Sequence, residues 1–370
     1  MSKVKVVIAM SGGVDSSVAA ALLKKQGYDV TGVIMEIFDE SITSSEGSRH
    51  ACFGPGEKED IEDARKVAER LGISFCTFNL KEKYRKHILN FFIKEYAEGN
   101  TPNPCVKCNY EMKFGAITEE LRKREIRFDY FATGHYARIQ YDKNRNRFLL
   151  KKAVDLKKDQ SYFLYNLPGD QLKNIIFPLG DYTKDEVRKF AGELLPDLYI
   201  GKKAESQDFI AGGYHQLFDT RQKPGPILNT RGEVMGEHKG IVFYTIGQRR
   251  GIGISGNKPL YVISKDKEKN AIIVGEKENL LGTGLIAGNL NWLTLENLNR
   301  PVNLKARIRF NHKEADVEVT PINGTDGTYK NVSVKFKEPQ MAITPGQAIV
   351  FYDGDIVVGG GIIEKECKLI

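Results

Sequence analysis

The sequence predicts an α/β protein: a doubly wound parallel-sheet domain, a small linking domain and a C-terminal β-barrel. Three observations predict it. The first third alternates short continuous apolar runs with amphipathic stretches of helical period, the pattern of parallel strands wrapped by helices. From Lys223 onward the texture changes to short strands separated by Gly turns. From about Ala271 apolar and polar residues alternate, as in Val302–Phe310 and Val332–Phe336, which marks half-exposed antiparallel strands. These changes set domain boundaries at 1–200, 201–270 and 271–370. No internal repeat is present.

Taken in order, Lys5–Ala9 is a continuous apolar strand, as a buried parallel strand should be. Ser16–Gln26 reads as a helix with Val18, Leu22 and Leu23 on one side, closed by Gly27. Val30–Met35 and Ile73–Phe78 read as further strands, and Cys76 in the second of them as a small core residue. Asp60–Leu71 is an amphipathic helix ended by Gly72, Lys83–Tyr96 an aromatic-rich helix, and Tyr130–Thr133 another strand. Phe38–Gly56, polar and rich in Gly and Ser, predicts a mobile loop. Asn100–Asn109, with Pro102 and Pro104, predicts a rigid non-helical segment, and Glu111–Arg122 a resumed helix. Thr183-Lys-Asp-Glu186 is a capping box opening a helix over Asp185–Leu194. The periodicity fails around Gly201–Gly213, and Pro226–Asn229, Val242–Ile246 and Leu260–Ile263 read as short strands.

Composition sets wide limits. The chain has 370 residues, 41% hydrophobic and 28% charged, a soluble globular profile with room for two or three cores. The opening apolar run is too short for a secretory signal. No run approaches the roughly 18 apolar residues of a membrane span. A cytoplasmic protein with no membrane partner is the expectation. The net charge of +7 permits a nucleic-acid partner without requiring one. Six histidines show no HExxH or similar metal spacing. The five cysteines, Cys52, Cys76, Cys105, Cys108 and Cys367, are an odd number and argue against a disulfide framework.

The first chemical signal is Ser11-Gly-Gly-Val-Asp15-Ser16-Ser17, set between a buried strand and a helix. Such a loop presents backbone N–H groups and the positive helix end to an anion. Gly12 and Gly13 permit close approach, and the three serines add hydroxyl donors. Asp15 is unusual in a phosphate cradle, because it repels the ligand unless a cation lies between them. Its two readings are a Mg²⁺ contact or a role in holding the loop's shape. The string is neither GxxxxGK[ST] nor GxGxxG. It resembles the pyrophosphate loop of the N-type ATP pyrophosphatases. That resemblance implies cleavage of ATP between its α and β phosphates, with AMP placed on a substrate oxygen.

The second signal is Thr101-Pro-Asn-Pro-Cys105-Val-Lys-Cys108-Asn109. A CxxC at a helix start predicts lowered thiol pKa values. The pair has three functional readings: a persulfide carrier, a zinc site needing two more ligands, or part of an iron–sulfur site. With this segment the chain resembles the bacterial tRNA-specific 2-thiouridylases. It shows SGGVDSS, TPNP…CN…KF, ATGHY, KDQSYFL, TIGQR and TPGQ in that order, at Ser11–Ser17, Thr101–Phe114, Ala132–Tyr136, Lys158–Leu164, Thr245–Arg249 and Thr344–Gln347. These span nearly the whole chain.

The resemblance implies ATP-dependent adenylation of the 2-oxygen of the wobble uridine in glutamine, glutamate and lysine tRNAs, with Mg²⁺, then replacement of that oxygen by sulfur from a persulfide donor protein. Carried over by position, the ATP contacts fall on Ala9, Met10, Ser11, Gly12, Gly13, Val14, Asp15, Ser16, Met35 and Gly134. The target-base segment falls on Asn103, Pro104 and Cys105, and the thiol nucleophile on Cys108, with Cys105 and Asp15 the other catalytic candidates. The remaining tRNA contacts fall on His135, Lys158, Asp159, Gln160, Arg309, Phe310 and Gln347. A Pro-stiffened loop bearing amides suits an extruded uracil edge. Arg307 and Arg309, alternating on one strand, suit phosphates.

The chain departs from the family in two respects. Most described members carry a second cysteine in a motif like SxxICF, where this chain has Glu205-Ser206-Gln207-Asp208-Phe209-Ile210-Ala211, and they carry Asp where this chain has Cys105. Two routes for sulfur follow. Cys105, Cys108 and Asp208 hold a [4Fe–4S] cluster, or one thiol of the CxxC carries a persulfide that the other resolves. Cys52 is a candidate relay thiol. Rival functions are another pyrophosphate-loop enzyme, amidotransferase-type or lysidine synthase-like, and a non-catalytic tRNA-binding protein.

Overall fold

The computed structural model describes residues 3–42, 51–196, 208–218, 221–254, 258–322 and 330–367. The chain divides into two units: residues 1–88, 104–216 and 355–357, and residues 89–103, 217–354 and 358–370.

The first unit opens with strand β1 (Lys5–Ala9), helix α1 (Val14–Lys25) and strand β2 (Asp29–Glu36). A short strand β3 (Ala51–Phe53), helix α2 (Glu57–Leu71), strand β4 (Ser74–Asn79) and helix α3 (Lys81–Tyr84) follow. After helix α4 (Asn90–Ala97), which belongs to the second unit, come α5 (Pro104–Cys108), a π-helical stretch (Asn109–Ala116) and α6 (Ile117–Lys123). Strand β5 (Tyr130–Thr133), the hairpin β6 (Ala137–Asp142) and β7 (Arg147–Lys152), strand β8 (Ile175–Ile176), helix α7 (Lys184–Leu194) and strand β9 (Asp208–Ile210) complete the unit.

Its sheet has the order β4-β2-β1-β5-β8, parallel throughout. Both faces are covered, so β1 is apolar without alternation. Val6 and Ile8 join a core with Val18, Leu22 and Leu23 of α1, Ala64 and Val67 of α2, and Val187 and Ala191 of α7. On β5, Phe131 meets Phe114 of the π-helical stretch, ring centroids 5.5 Å apart. The doubly wound expectation holds. The small run Ala19–Ala21 lets α1 bury nearly its whole girth between Val14 and Leu23, where the sequence pointed to a single apolar side.

Three local expectations are corrected. The segment Asn100–Asn109 is not wholly irregular: Pro104 occupies the first position of α5, where its missing N–H costs nothing. Phe38–Gly56 contains β3, which pairs in parallel with β9 through Ala51–Asp208 and Phe53–Ile210. Residues 241–243 form a turn of 3-10 helix, not a strand. The hairpin β6–β7 went unread, because its alternation is interrupted by the charged turn Asp142–Arg147.

The second unit holds two β assemblies. Strands β10 (Gly225–Leu228), β11 (Val234–His238), β12 (Tyr261–Asp266) and β13 (Ala271–Gly275) form a four-stranded sheet in the order β11-β10-β13-β12. Strands β14 (Leu281–Trp292), β15 (Val302–Arg307), β16 (Ala315–Ile322), β17 (Asn331–Met341), β18 (Ala348–Asp353) and β19 (Ile356–Cys367) follow the order β14-β17-β16-β15-β18-β19. Pairing of β14 with β19 closes them into the expected barrel. Val317, Val319, Val332, Val334, Ile349 and Phe351 fill it. No helix among the described residues is long and apolar enough to cross a membrane.

Candidate active site

The phosphate loop sits where β1 passes into α1. Gly13 caps α1 without a side-chain hydrogen bond, and the first helical bond runs from the Ser17 N–H to the Gly13 carbonyl. The opening turn of the helix therefore keeps its N–H groups directed outward. The serine hydroxyls hold the loop's curvature. Ser16 Oγ accepts from the Ser11 N–H at 3.1 Å and donates to the Gly13 carbonyl, and Ser17 Oγ donates to the same carbonyl at 2.8 Å. Gly12 has φ +67°, and a Cβ there would lie 2.3 Å from the Asp60 carbonyl oxygen of α2. Only glycine satisfies both the left-handed backbone and this approach. Met10 is buried, with its N–H bonded to the Val33 carbonyl, and Met35 lies near the end of β2.

Gly134 lies against the same loop. A Cβ on it would stand 2.8 Å from Ser16 N and 3.0 Å from the Asp15 carbonyl carbon, both backbone atoms. Gly134→Ala should therefore push the loop out of shape. Overpacking of this kind costs about 1–3 kcal/mol. Borne by the ATP complex, that is a rise of about 10- to 100-fold in the KM for ATP, with the thermal midpoint little changed. Steady-state pyrophosphate release against ATP concentration checks it.

The sequence left Asp15 with a charge problem, and the structure supplies the cation. Lys184 Nζ lies 2.7 and 2.9 Å from the two Asp15 carboxylate oxygens, and the Tyr136 hydroxyl donates to Oδ1 at 2.8 Å. The Lys184 side chain is 7% exposed. These bonds tie the first turn of α1 to the start of α7 and to Tyr136. Lys184 was missed because it stands inside the capping box that marks the start of α7, and that box is formed as expected. The only signal for it was that Asp15 required a positive partner.

Of the remaining predicted residues in the first unit, several face inward. His135 is buried between Phe114 and Phe177, with Nδ1 2.7 Å from Thr133 Oγ1. Burial holds its pKa well below the usual histidine value, so the ring is neutral. Asp159 is buried and accepts from the Ala153 and Ser161 N–H groups and the Ser161 hydroxyl. Gln160 Oε1 accepts from the Tyr136 N–H. Lys158 is half-buried in the same turn.

Cys105 and Cys108 stand one helical turn apart on α5, and Asn109 next to them is buried and donates to the Phe163 carbonyl. The lowered thiol pKa expected of this CxxC is corrected. Burial pushes both thiols up, each to about 12. For Cys105 the nearby Cys52 and Cys108 add to the rise; for Cys108, Lys113 opposes it. The helix has five residues, Cys108 is its last, and desolvation outweighs so short a dipole. Among the described residues no group of three His, Cys, Asp or Glu side chains stands close enough to hold a metal ion. Glu205, Ser206, Gln207 and the Asp208 side chain lie outside the described residues.

In the second unit the motifs Thr245–Arg249 and Thr344–Gln347 converge on Arg309. Its guanidinium donates to the Ala342 carbonyl and to Thr344 Oγ1 at 2.7 Å, and lies 3.8 Å from where a Gly247 Cβ would be. Arg307 pairs with Glu314 at 2.8 Å and packs over the Tyr352 ring. The two arginines do not form one outward-facing phosphate row. Phe310 is half-buried beyond the end of β15. Gln347 Nε2 donates to the Thr101 carbonyl at 2.8 Å, and Lys265 Nζ to the Asn100 carbonyl at 3.3 Å. Together they hold the backbone that leads to Asn103. Burial lowers the Lys265 pKa to about 8.

Known proteins agree with this architecture. Residues 4–211 match the family described as the tRNA methyl transferase HUP domain, 218–276 the tRNA methyl transferase PRC-barrel domain, and 282–363 the aminomethyltransferase beta-barrel domain. A tRNA-specific 2-thiouridylase MnmA 1 of Caldanaerobacter subterraneus subsp. tengcongensis is 47% identical, over 98% of this chain and 99% of its own. The tRNA-specific 2-thiouridylases MnmA of Desulforamulus reducens and Acetivibrio thermocellus are 46% and 44% identical, each over 98% of this chain and 98% and 100% of their own. An ATP-type phosphate loop, a two-thiol turn in the same unit and end-to-end similarity of this degree agree: the chain belongs to the tRNA-specific 2-thiouridylase family.

Proposed function

We propose that this protein converts the wobble uridine of glutamine, glutamate and lysine tRNAs to 2-thiouridine, using ATP as its Mg²⁺ complex and a persulfide donor protein. The observation that carries the reading is the pairing of the phosphate loop and the Cys105–Cys108 turn within one unit. A pyrophosphate loop alone activates an oxygen; a thiol pair supplies the atom that replaces it.

The first step is adenylation. The phosphates rest on the N–H groups of Gly12–Ser16, with Lys184 beside them to offset Asp15. The uracil 2-oxygen attacks the α-phosphorus and pyrophosphate leaves. The second step is sulfur transfer. A Cys108 persulfide attacks C2, and AMP departs with its oxygen. The Cys105 thiolate then attacks Cys108 Sγ. The S–S bond to the transferred sulfur breaks, its electron pair stays on the sulfur now bound to C2, and a Cys105–Cys108 disulfide remains. An outside dithiol reduces that disulfide before the next cycle. Lys113, whose charge favours the Cys108 anion, is the near cation for these anionic sulfurs. His135, Lys158, Asp159, Gln160, Arg309, Phe310 and Gln347 shape or contact the tRNA surface in this reading. The buried ones among them, His135 and Asp159, act through the backbone that they order.

A [4Fe–4S] cluster on Cys105, Cys108 and Asp208 is the other route for sulfur. The described side chains give it two thiols and no third ligand, so no step is routed through it.

The test is a reconstituted reaction with unmodified glutamate tRNA, Mg-ATP and a persulfide donor, followed by nucleoside mass analysis. One AMP and one pyrophosphate per 2-thiouridine are expected. Pyrophosphate release that ignores tRNA, or a product carrying an added methyl group and no sulfur, removes the assignment.

A further inference from the structure

We propose that Glu57 is a positioning residue for the nucleotide: its side-chain oxygen fixes the turn that leaves β2, and with it the Met35 backbone that reads the base of ATP. The inference rests on the proposed adenylation and adds what sets the choice of base.

The end of the sheet offers an edge to a base. β1 and β2 run parallel, and Ala9 opposite Val33 is their last pair. The Met10 N–H then closes onto the Val33 carbonyl, and the chain turns into the phosphate loop. β2 continues to Glu36. Peptide groups alternate edge along a strand, so Met35 presents its N–H and C=O on the same edge as Val33, beyond the end of β1. Adjacent strands lie about 4.8 Å apart. This edge therefore stands one strand from the phosphate loop, within the span of a nucleotide. A neighbouring donor and acceptor match the N1 and 6-amino groups of adenine. Guanine carries an N1–H and a 6-oxo group there, and like meets like.

The turn after β2 is held by one atom. Glu57 Oε1 accepts from the Ile37 N–H at 2.7 Å and from the Phe38 N–H at 2.9 Å. Two further contacts close the turn. The Leu80 N–H donates to the Glu36 carbonyl at 2.8 Å, and Phe38 is buried edge-on against Phe53 with ring centroids 5.2 Å apart. Glu57 is the first residue of α2. Three residues on, the Asp60 carbonyl oxygen lies 2.3 Å from where a Gly12 Cβ would be. The first turn of α2 thus touches the β2 exit through Glu57 and the phosphate loop through Asp60. It sets the spacing between the two ends of the nucleotide site.

Glu57 serves here as an acceptor rather than as a charge. Burial raises its carboxyl above the ordinary glutamate value, against the pull of the two N–H groups. Because Oε1 takes both bonds, an amide oxygen can take them as well.

Equilibrium binding of Mg-ATP and Mg-GTP to the whole protein, without tRNA, tests this. Glu57→Met keeps the length of the side chain and removes the acceptor. ATP binding should weaken at least about tenfold, and the preference for ATP over GTP should fall at least about tenfold, because a misplaced backbone pair no longer rejects the wrong base. Glu57→Gln should stay within about threefold of the parent in both. A preference unchanged in Glu57→Met, even with a lower thermal midpoint, reduces Glu57 to a stabilising contact and overturns the proposal. So does a loss in Glu57→Gln as large as in Glu57→Met, since the charge would then be what acts, and so does a parent with no preference for ATP. Where Glu57→Met does not fold, Glu57→Asp withdraws the acceptor by one methylene and must show the same fall in preference. A parent that prefers ATP but releases no pyrophosphate with tRNA would instead overturn the thiolation reading, so the two failures are told apart.

Discussion

Cys108→Ser should lower 2-thiouridine formation at least about 1,000-fold, the loss expected when one member of a catalytic unit is removed. Serine fills the same space on α5 but cannot hold a transferable sulfur. The phosphate loop is built from other elements, β1, α1 and α7, held together by Asp15, Lys184 and Tyr136. Adenylated tRNA should therefore accumulate to the level of enzyme-bound tRNA, seen as a burst of pyrophosphate without a thiolated product. Full thiolation by the variant would remove Cys108 as the residue that carries the sulfur. A pyrophosphate burst missing from both parent and variant would favour a tRNA-binding protein that merely keeps the loop.

Lys184→Met should lower kcat/KM for ATP by about 100- to 1,000-fold, equivalent to about 3–4 kcal/mol. The argument is electrostatic. With its ammonium gone, Asp15 places an uncompensated carboxylate beside the triphosphate, where removing one partner of a pair costs more than the pair contributes. Methionine keeps most of the buried volume of a side chain only 7% exposed. The fold should tolerate the change better than the activity does. Adding Asp15→Asn should restore part of the loss, because the offending charge is then gone. A double-mutant coupling of about 1–3 kcal/mol is expected. Single-variant kinetics within threefold of the parent would reduce Lys184 to a structural contact.

Much of the site was readable from the chain. The period of the apolar residues located β1, α1, β2, α2, β4 and β5, because such patterns report burial within a single element. The capping box at Thr183–Glu186 and the glycine pair at Gly12–Gly13 were legible for the same reason, since each is local backbone chemistry. The errors came where the local signal was ambiguous. Two prolines suggested an irregular segment, although Pro104 suits the first turn of a helix. A polar Gly- and Ser-rich stretch hid β3, whose partner strand lies far along the chain.

The sequence by itself determined the reaction class: a phosphate loop after a buried strand, a CxxC turn, and ordered motifs across the chain. Tertiary structure alone decided which groups stand together and in what state. Lys184, 169 residues from Asp15, became its counter-charge. Cys105 and Cys108 became desolvated thiols rather than helix-activated ones. The reason is physical. Backbone preference is set by a few neighbouring residues, whereas a charge's partner and a thiol's solvation depend on every element that closes around them.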